Sequence, residues 1–347
     1  MKSIRIGLIG YGLSGATFHA PLISAVDGFT LVRVASSHPE KVLRDFPHAI
    51  VSGNPDDMIN ADDIDLIVVA TPNATHHALA KKALTAGKHV VLEKPFTVTL
   101  DEGRELIQLA REKDRVLSVF HNRRWDNGFR TARHCIESGA LGEINTYQAR
   151  FDRYRPLVRR RWREEDLPGS GTLYDLGSHL IDQALVLFGP PSTVFADVGA
   201  QRPGALAPDY FHLVLGYGNK RVILHSGSMV RHPGPHIEVH GSRGSYIKHG
   251  LDPQEDALKQ GLRPGCADWG KEPASAHGLV CYERDGQAIT ERIESLPGCY
   301  EAYYKGILDA VTMGKPVPVS AEDALKVIRI TMLAMRSSAE KRVVAVE

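Results

Sequence analysis

An apolar run, Ile4–Ile9, leads straight into Gly10-Tyr11-Gly12-Leu13-Ser14-Gly15, and a helix-compatible stretch follows. Few local patterns restrict a chain as much. Three glycines at this spacing, between a strand and a helix, suit a turn that lets an anionic ligand come close to the backbone. The first glycine makes the tight turn, the second admits a pyrophosphate, and the third lets helix and strand pack closely. Backbone N–H groups at the helix start then face the anion. The same pattern also occurs as a glycine-rich turn without a ligand. The strand before it and the helix after it favour a dinucleotide loop, with Leu13 and Ser14 inside it.

The next hundred residues repeat the alternation. Short β-rich runs at 31–35, 66–70, 89–92 and 116–120 are separated by helical patterns, such as 76–86 and 100–113. The runs are apolar on both faces, as a covered parallel sheet requires. The expected fold is therefore α/β: an N-terminal Rossmann, doubly wound parallel sheet over residues 1–120. After residue 121 the rhythm changes. Helical stretches at 129–138 and 173–187 flank an extended segment, 144–154. Then come β-rich runs at 193–198, 210–217, 221–228 and 236–240 with glycine turns between them. An amphipathic helix at 321–341 closes the chain, and Ser320 with Asp323 resembles a capping box. Residues 121–347 are expected to form an α+β catalytic and dimerisation domain with a large, mostly antiparallel sheet.

Composition narrows the partners. The chain has 347 residues, a length suited to two domains, and a net charge of +1. That balance offers no broad basic surface, so no nucleic-acid partner is expected. No apolar run is long enough to span a bilayer and the N-terminus lacks signal-peptide features, so no membrane partner and a cytoplasmic location are expected. Cys135, Cys266, Cys281 and Cys299 stand alone, as reduced thiols do. His76, His77, His121, His225, His232, His236 and His240 show no ligand spacing. His236 and His240 would share a strand face, yet no third ligand is evident, and no metal is expected.

Candidate cofactor contacts lie at strand ends, where a doubly wound sheet opens its crevice. The second run ends in Ser36, Ser37 and His38, without the acid that holds the ribose hydroxyls of NAD. Ser36 and Ser37 could bond a 2′-phosphate, with His38 or Lys41 adding charge, so NADP is favoured and NAD remains possible. Alternatively, the two serines cap the next helix. Thr71, Pro72 and Asn73 end the third run, with His76 one turn on; Asn73 or Thr75 could equally be a helix cap. Glu93-Lys94-Pro95 ends the fourth run, either as a solvated ion pair or as a functional cation at the sheet edge. Asp175 and His179, four apart, would share a helix face after the flexible tract Pro168-Gly-Ser-Gly-Thr172. The pair reads equally as an exposed contact or as an oriented acid/base.

Together, the glycine loop, Glu93-Lys94-Pro95 and Asp175-x-x-x-His179 resemble the Gfo/Idh/MocA oxidoreductases. The resemblance runs nearly end to end and includes Pro316-Val-Pro-Val-Ser320. Phe120-His-Asn-Arg-Arg-Trp125, Phe151-Asp-Arg-Tyr-Arg-Pro156 and Arg161-Trp-Arg163 resemble a bacterial subgroup that includes NADP-dependent scyllo-inositol dehydrogenases. The resemblance implies hydride transfer between NAD(P) and a polyol or sugar. Lys94 would bond the reacting oxygen, His179 would be the acid/base and Asp175 would orient the site and bind substrate. Asn122 and Arg123 would lie near the nicotinamide, and Trp162 near the cofactor. It also implies a homodimer or higher homo-oligomer. Two other readings remain at this point: a redox-neutral, glycosidase-like enzyme with bound NAD, and a non-enzymatic NADP-binding sensor. Six arginines at positions 153, 155, 159, 160, 161 and 163 could bind a phosphorylated substrate, the cofactor phosphate or a neighbouring subunit. They could also form a solvated loop paired with Glu164, Glu165 and Asp166.

Overall fold

The computed structural model describes residues 3–159 and 161–347. The chain forms two compact units. The first comprises Met1–Asn122, Gln254–Trp269 and Cys299–Leu325; the second comprises Arg123–Pro253, Gly270–Gly298 and Lys326–Glu347.

The first unit holds a six-stranded parallel sheet. Its strands are β1 (Ile4–Ile9), β2 (Phe29–Ala35), β3 (Ile50–Ser52), β4 (Leu66–Val69), β5 (His89–Leu92) and β6 (Leu117–Val119), in the order β3-β2-β1-β4-β5-β6. This is the doubly wound order with its switch point beside β1. Leu66, Ile67, Val68 and Val69 are fully buried, as are Val90, Val91 and Leu92. Central strands covered on both faces need such apolar runs. Strand β3 has only three residues, too short for a β-rich run to stand out.

The helices of this unit are α1 (Ala20–Ser24), α2 (Pro39–Asp45), α3 (Pro55–Ile59), α4 (His76–Thr85) and α5 (Leu100–Glu112). Helix α5 starts at a reciprocal capping box: Glu102 N–H donates to Thr99 Oγ1 at 3.2 Å and Thr99 N–H to the Glu102 carboxylate at 3.1 Å. The second unit supplies α6 (Asn127–Glu137) and α7 (Ser178–Phe188). Helix α8 (Gln254–Lys259) and α9 (Glu301–Met313) belong to the first, and α10 (Ala321–Glu340) is the last. At its start, Asp323 N–H donates to Ser320 Oγ at 3.0 Å, as the capping pattern anticipated.

The second unit carries a nine-stranded sheet. Its strands are β7 (Ile144–Arg150), β8 (Thr193–Gly199), β9 (Tyr210–Tyr217), β10 (Lys220–Gly227), β11 (Ile237–Gly241), β12 (Gly244–Lys248), β13 (Gly278–Arg284), β14 (Gln287–Ile293) and β15 (Val344–Ala345). The order is β14-β13-β12-β11-β7-β10-β9-β8-β15. Strands β8 to β10 form the expected antiparallel meander, but β7 enters beside β10 in parallel register. One face of the sheet packs against α6 and α7 around Tyr147, Phe151, Leu180 and Phe211. Among the described residues, no helix is long and apolar enough to cross a membrane.

Candidate active site

The loop after β1 is tight except at one point. Gly10 has φ +98°, and a Cβ there would collide with the Ala70 carbonyl; a Cβ on Gly15 would strike the Gly10 carbonyl. At Gly12 an added Cβ would meet nothing within 4 Å. Two glycines therefore serve packing and one keeps a cradle open, which is the arrangement a pyrophosphate needs. Leu13 beside it is exposed.

Ser14 leads from this loop to the end of β5. Its hydroxyl donates to Glu93 Oε1. Glu93 is buried and also accepts from the Lys94 N–H at 2.9 Å. Its third partner is His19 Nε2 at 3.0 Å. His19 Nδ1 in turn lies 2.5 Å from the Tyr304 hydroxyl. With the proton on Nε2, Tyr304 donates to His19 and His19 donates to the carboxylate, so every group is satisfied. Burial opposes the charge on Glu93. The hydrogen bond from His19, the Lys94 cation and the Ser14 hydroxyl outweigh it and hold the carboxyl down to about 2. Glu93 is therefore no solvated ion-pair partner. It fixes the backbone of half-buried Lys94 from within.

His76 also departs from expectation. It is fully buried, with Nδ1 2.9 Å from the Pro95 carbonyl and Nε2 3.0 Å from the Thr71 carbonyl. It braces the loops after β4 and β5 rather than opening toward a ligand. Thr71 pairs with Thr75 through their hydroxyls at 2.6 Å, while Pro72 is exposed and Asn73 buried. Thr75 makes no side-chain cap to α4. After β2, half-buried Ser36 accepts from the His38 N–H at 3.0 Å, and neither serine caps α2. Ser37 and Lys41 are exposed, and Glu40 stands 3.5 Å from His38. Asn122 is buried.

In the second unit, Leu173–Gly177 form a π-helical turn that runs into α7. Asp175 lies on this turn and is half-buried; His179 follows on α7 with 5% exposure. A freely exposed pair is thus ruled out. π turns inside helices often mark functional positions. The Phe151 ring stands 6.5 Å from His179 and carries the Arg123 guanidinium at 4.9 Å. Asp182, also on α7, holds Arg124 by two bonds of 2.7 and 2.9 Å. Trp162 sits in a short 3-10 turn under the Arg163 guanidinium at 5.1 Å.

In the basic run, Arg161 meets Glu164, one of the acids expected to pair with it, at 2.6 Å; Glu164 is buried and also pairs with Arg202 at 3.1 Å, while Arg159, Glu165 and Asp166 are exposed. Arg160 lies outside the described residues. Among those described, no three His, Cys, Asp or Glu side chains gather as a metal site would.

Sequence reasoning missed His19, Tyr304 and Arg202. His19 recurs four residues after Gly15, a spacing that places it under the loop and could have been read. Nothing near Tyr304 or Arg202 in the sequence announces its partner.

The fold and the strand-end lysine define an oxidoreductase of the dinucleotide-binding kind, and comparison with known proteins agrees. Residues 4–121 match the family model for the oxidoreductase family's NAD-binding Rossmann fold. Residues 133–346 match that for its C-terminal alpha/beta domain. The chain is 46% identical over 347 residues to scyllo-inositol 2-dehydrogenase (NADP(+)) IolW of Bacillus subtilis, covering 100% of this chain and 97% of that one. It is 48% identical over 336 residues to the uncharacterized oxidoreductase YdgJ of Escherichia coli, covering 97% and 96%. The solved structure of yvaA from Bacillus subtilis superposes with a TM-score of 0.97 at 46% identity, covering 100% and 99%. An oxidoreductase from Bacillus cereus gives 0.90 at 30% identity, covering 99% of each chain. The protein belongs to the Gfo/Idh/MocA family and is an NAD(P)-dependent oxidoreductase.

Proposed function

We propose that the protein moves a hydride between the nicotinamide of NADP and a carbinol or carbonyl carbon of a polyol or sugar. The observation that carries this reading is the Ser14–Glu93 hydrogen bond, which ties the glycine cradle to the loop bearing Lys94. A cation is thereby held at the carboxyl edge of the sheet beside the dinucleotide loop. The cofactor, when bound, supplies the hydride acceptor or donor. Lys94 donates a hydrogen bond to the reacting oxygen and stabilises negative charge as it develops there, an effect enhanced away from bulk water. His179 takes the hydroxyl proton during oxidation and returns it during reduction. Asp175 binds a neighbouring substrate group and orients the site.

The choice of NADP rests on Ser36, Ser37 and Lys41 beyond β2, and it agrees with the name of the Bacillus subtilis relative. An inositol-like ring is the matching substrate class. A homo-oligomer is the matching assembly, measurable by light scattering.

The test follows reduced-nicotinamide absorbance with NADP+ or NAD+ across inositols, aldoses and sugar acids. Turnover with NADP+ is expected. General acid–base help is worth about 10²–10⁴ in rate, so Lys94→Ala and His179→Ala should each cut kcat by that order while NADPH still binds. Near-normal kcat in both variants would reject the assignment.

A further inference from the structure

One cavity in the second unit is far richer in cations than in anions. Arg153, Arg155, Arg161, Arg163 and Arg202 line it, together with Glu164 and Asp175. Both carboxylates are already engaged: Glu164 holds Arg161 and Arg202, and Asp175 lies 3.8 Å from Arg163. Asp209, buried behind the wall, takes a further bond from Arg202 at 2.7 Å. Arg155 is left over. Among the described residues, its half-buried guanidinium has no hydrogen-bond or ion-pair partner. Burial, then the like charges of Arg161 and Arg159, press against its protonated form.

The framework around Arg155 is built to hold it there. Arg202 donates to the carbonyls of Arg155 at 3.3 Å and Leu157 at 3.1 Å. Arg155 N–H donates to the Ser228 carbonyl at 2.8 Å. Gly171, at φ +88°, lets the opposite wall approach Pro208, where a Cβ would lie 2.9 Å from the carbonyl oxygen. Asp175 belongs to the same wall and precedes His179 by four residues, so the cavity adjoins the helix of the proposed acid/base. Guanidinium groups offer donors only, and a surplus of them in a partly dry cavity is best neutralised by a planar or tetrahedral oxyanion.

We infer that this cavity binds an oxyanion group carried by the substrate, with Arg155 as its principal contact. The substrate is then a sugar or polyol bearing a carboxylate or a phosphate, rather than a neutral one. This deepens the proposed dehydrogenase reaction and rests on it.

The experiment compares kcat/KM with NADP+ for matched compounds: myo-inositol against its monophosphate, and D-glucose against D-glucuronate and D-glucose 6-phosphate. One anionic arm should exceed its neutral counterpart by about tenfold or more, and whether it is the acid or the phosphate names the source. Arg155→Met should reduce the anionic-to-neutral ratio by about 10–100-fold, mainly through KM, and Arg155→Lys should recover part of it. Inorganic phosphate should compete with the substrate. Neutral compounds turned over as well as every one of their anionic partners, a ratio unmoved by Arg155→Met, or phosphate competing only with NADP+ would each overturn the inference. Calorimetric titration of the NADP-loaded protein with inorganic phosphate separates the two readings. No turnover of any compound removes the dehydrogenase reading. Phosphate binding that disappears in Arg155→Met still sustains the anion site, and no phosphate binding overturns it.

Discussion

At Gly12 a single hydrogen atom keeps the cradle open. Gly12→Ala should leave the thermal midpoint almost unchanged, because a Cβ there touches nothing within 4 Å, yet weaken NADPH binding by about tenfold or more by filling the space the pyrophosphate needs. Gly15→Ala should do the reverse first: its methyl group meets the Gly10 carbonyl, costing about 1–3 kcal/mol of stability, as overpacking does. Fluorescence titration and thermal denaturation of the two variants distinguish these outcomes; similar melting losses in both would contradict the geometry. Glu93 gives a pH prediction. Its carboxyl is lowered from 4.5 to about 2 on folding. The unfolded chain therefore binds a proton before the folded one does. The stability this group contributes is fully present above about pH 4.5 and lost as the pH falls through about 2. Glu93→Gln should flatten the acid limb of a stability–pH curve in that window, and an unchanged limb would show that His19 and Ser14 do not hold the charge. The position of Glu93 and Lys94 just past a strand end was legible in the sequence. The partners of Glu93 were not all legible, because a carboxylate can be solvated or buried at the same sequence position.

Among the elements, the short segments around α7 show how local structure rests on distant support. Arg202, Glu164 and Asp209 form a buried ionic group. Removing one partner leaves the others uncompensated in a poor solvent for charge. Arg202→Met should therefore cost about 3–5 kcal/mol by urea denaturation, and a loss below 1 kcal/mol would mean the carboxylates find water. Element type was readable where periodicity is strong: β1, β4, β5, α5 and α10 lie close to where the residue pattern puts them. It was not readable in β13 and β14, whose side chains are largely half-buried or exposed and include many polar residues. Their turn, Asp285-Gly286, has positive φ at both positions, the signature of a type I′ hairpin. That dipeptide was a legible signal, weakened by the lack of apolar alternation beside it. The parallel pairing of β7 with β10 had no local signal, since a strand's own residues do not state which neighbour it will take.

For the whole molecule, the first unit draws on three stretches of chain. Tyr303 and Tyr304 of α9 are fully buried there. Phe120 stands 4.9 Å from the Tyr303 ring and His19 4.4 Å from the Phe120 ring. A fragment ending at residue 122 keeps all six strands of the parallel sheet but loses that aromatic cover. It should show no cooperative thermal transition and should bind a hydrophobic dye, and a sharp two-state melt of the fragment would refute this. The sequence by itself determined the strand–helix alternation, the glycine loop, and the placing of Lys94 at a strand end, since each follows from residues adjacent in the chain and from their periodicity and turn chemistry. Only the tertiary structure decided that Tyr304 meets His19, that Arg202 meets Glu164, that Arg155 is left facing a cavity, and that β7 enters between β11 and β10. Contacts across tens to hundreds of residues depend on how the chain returns on itself, and no local propensity encodes that path.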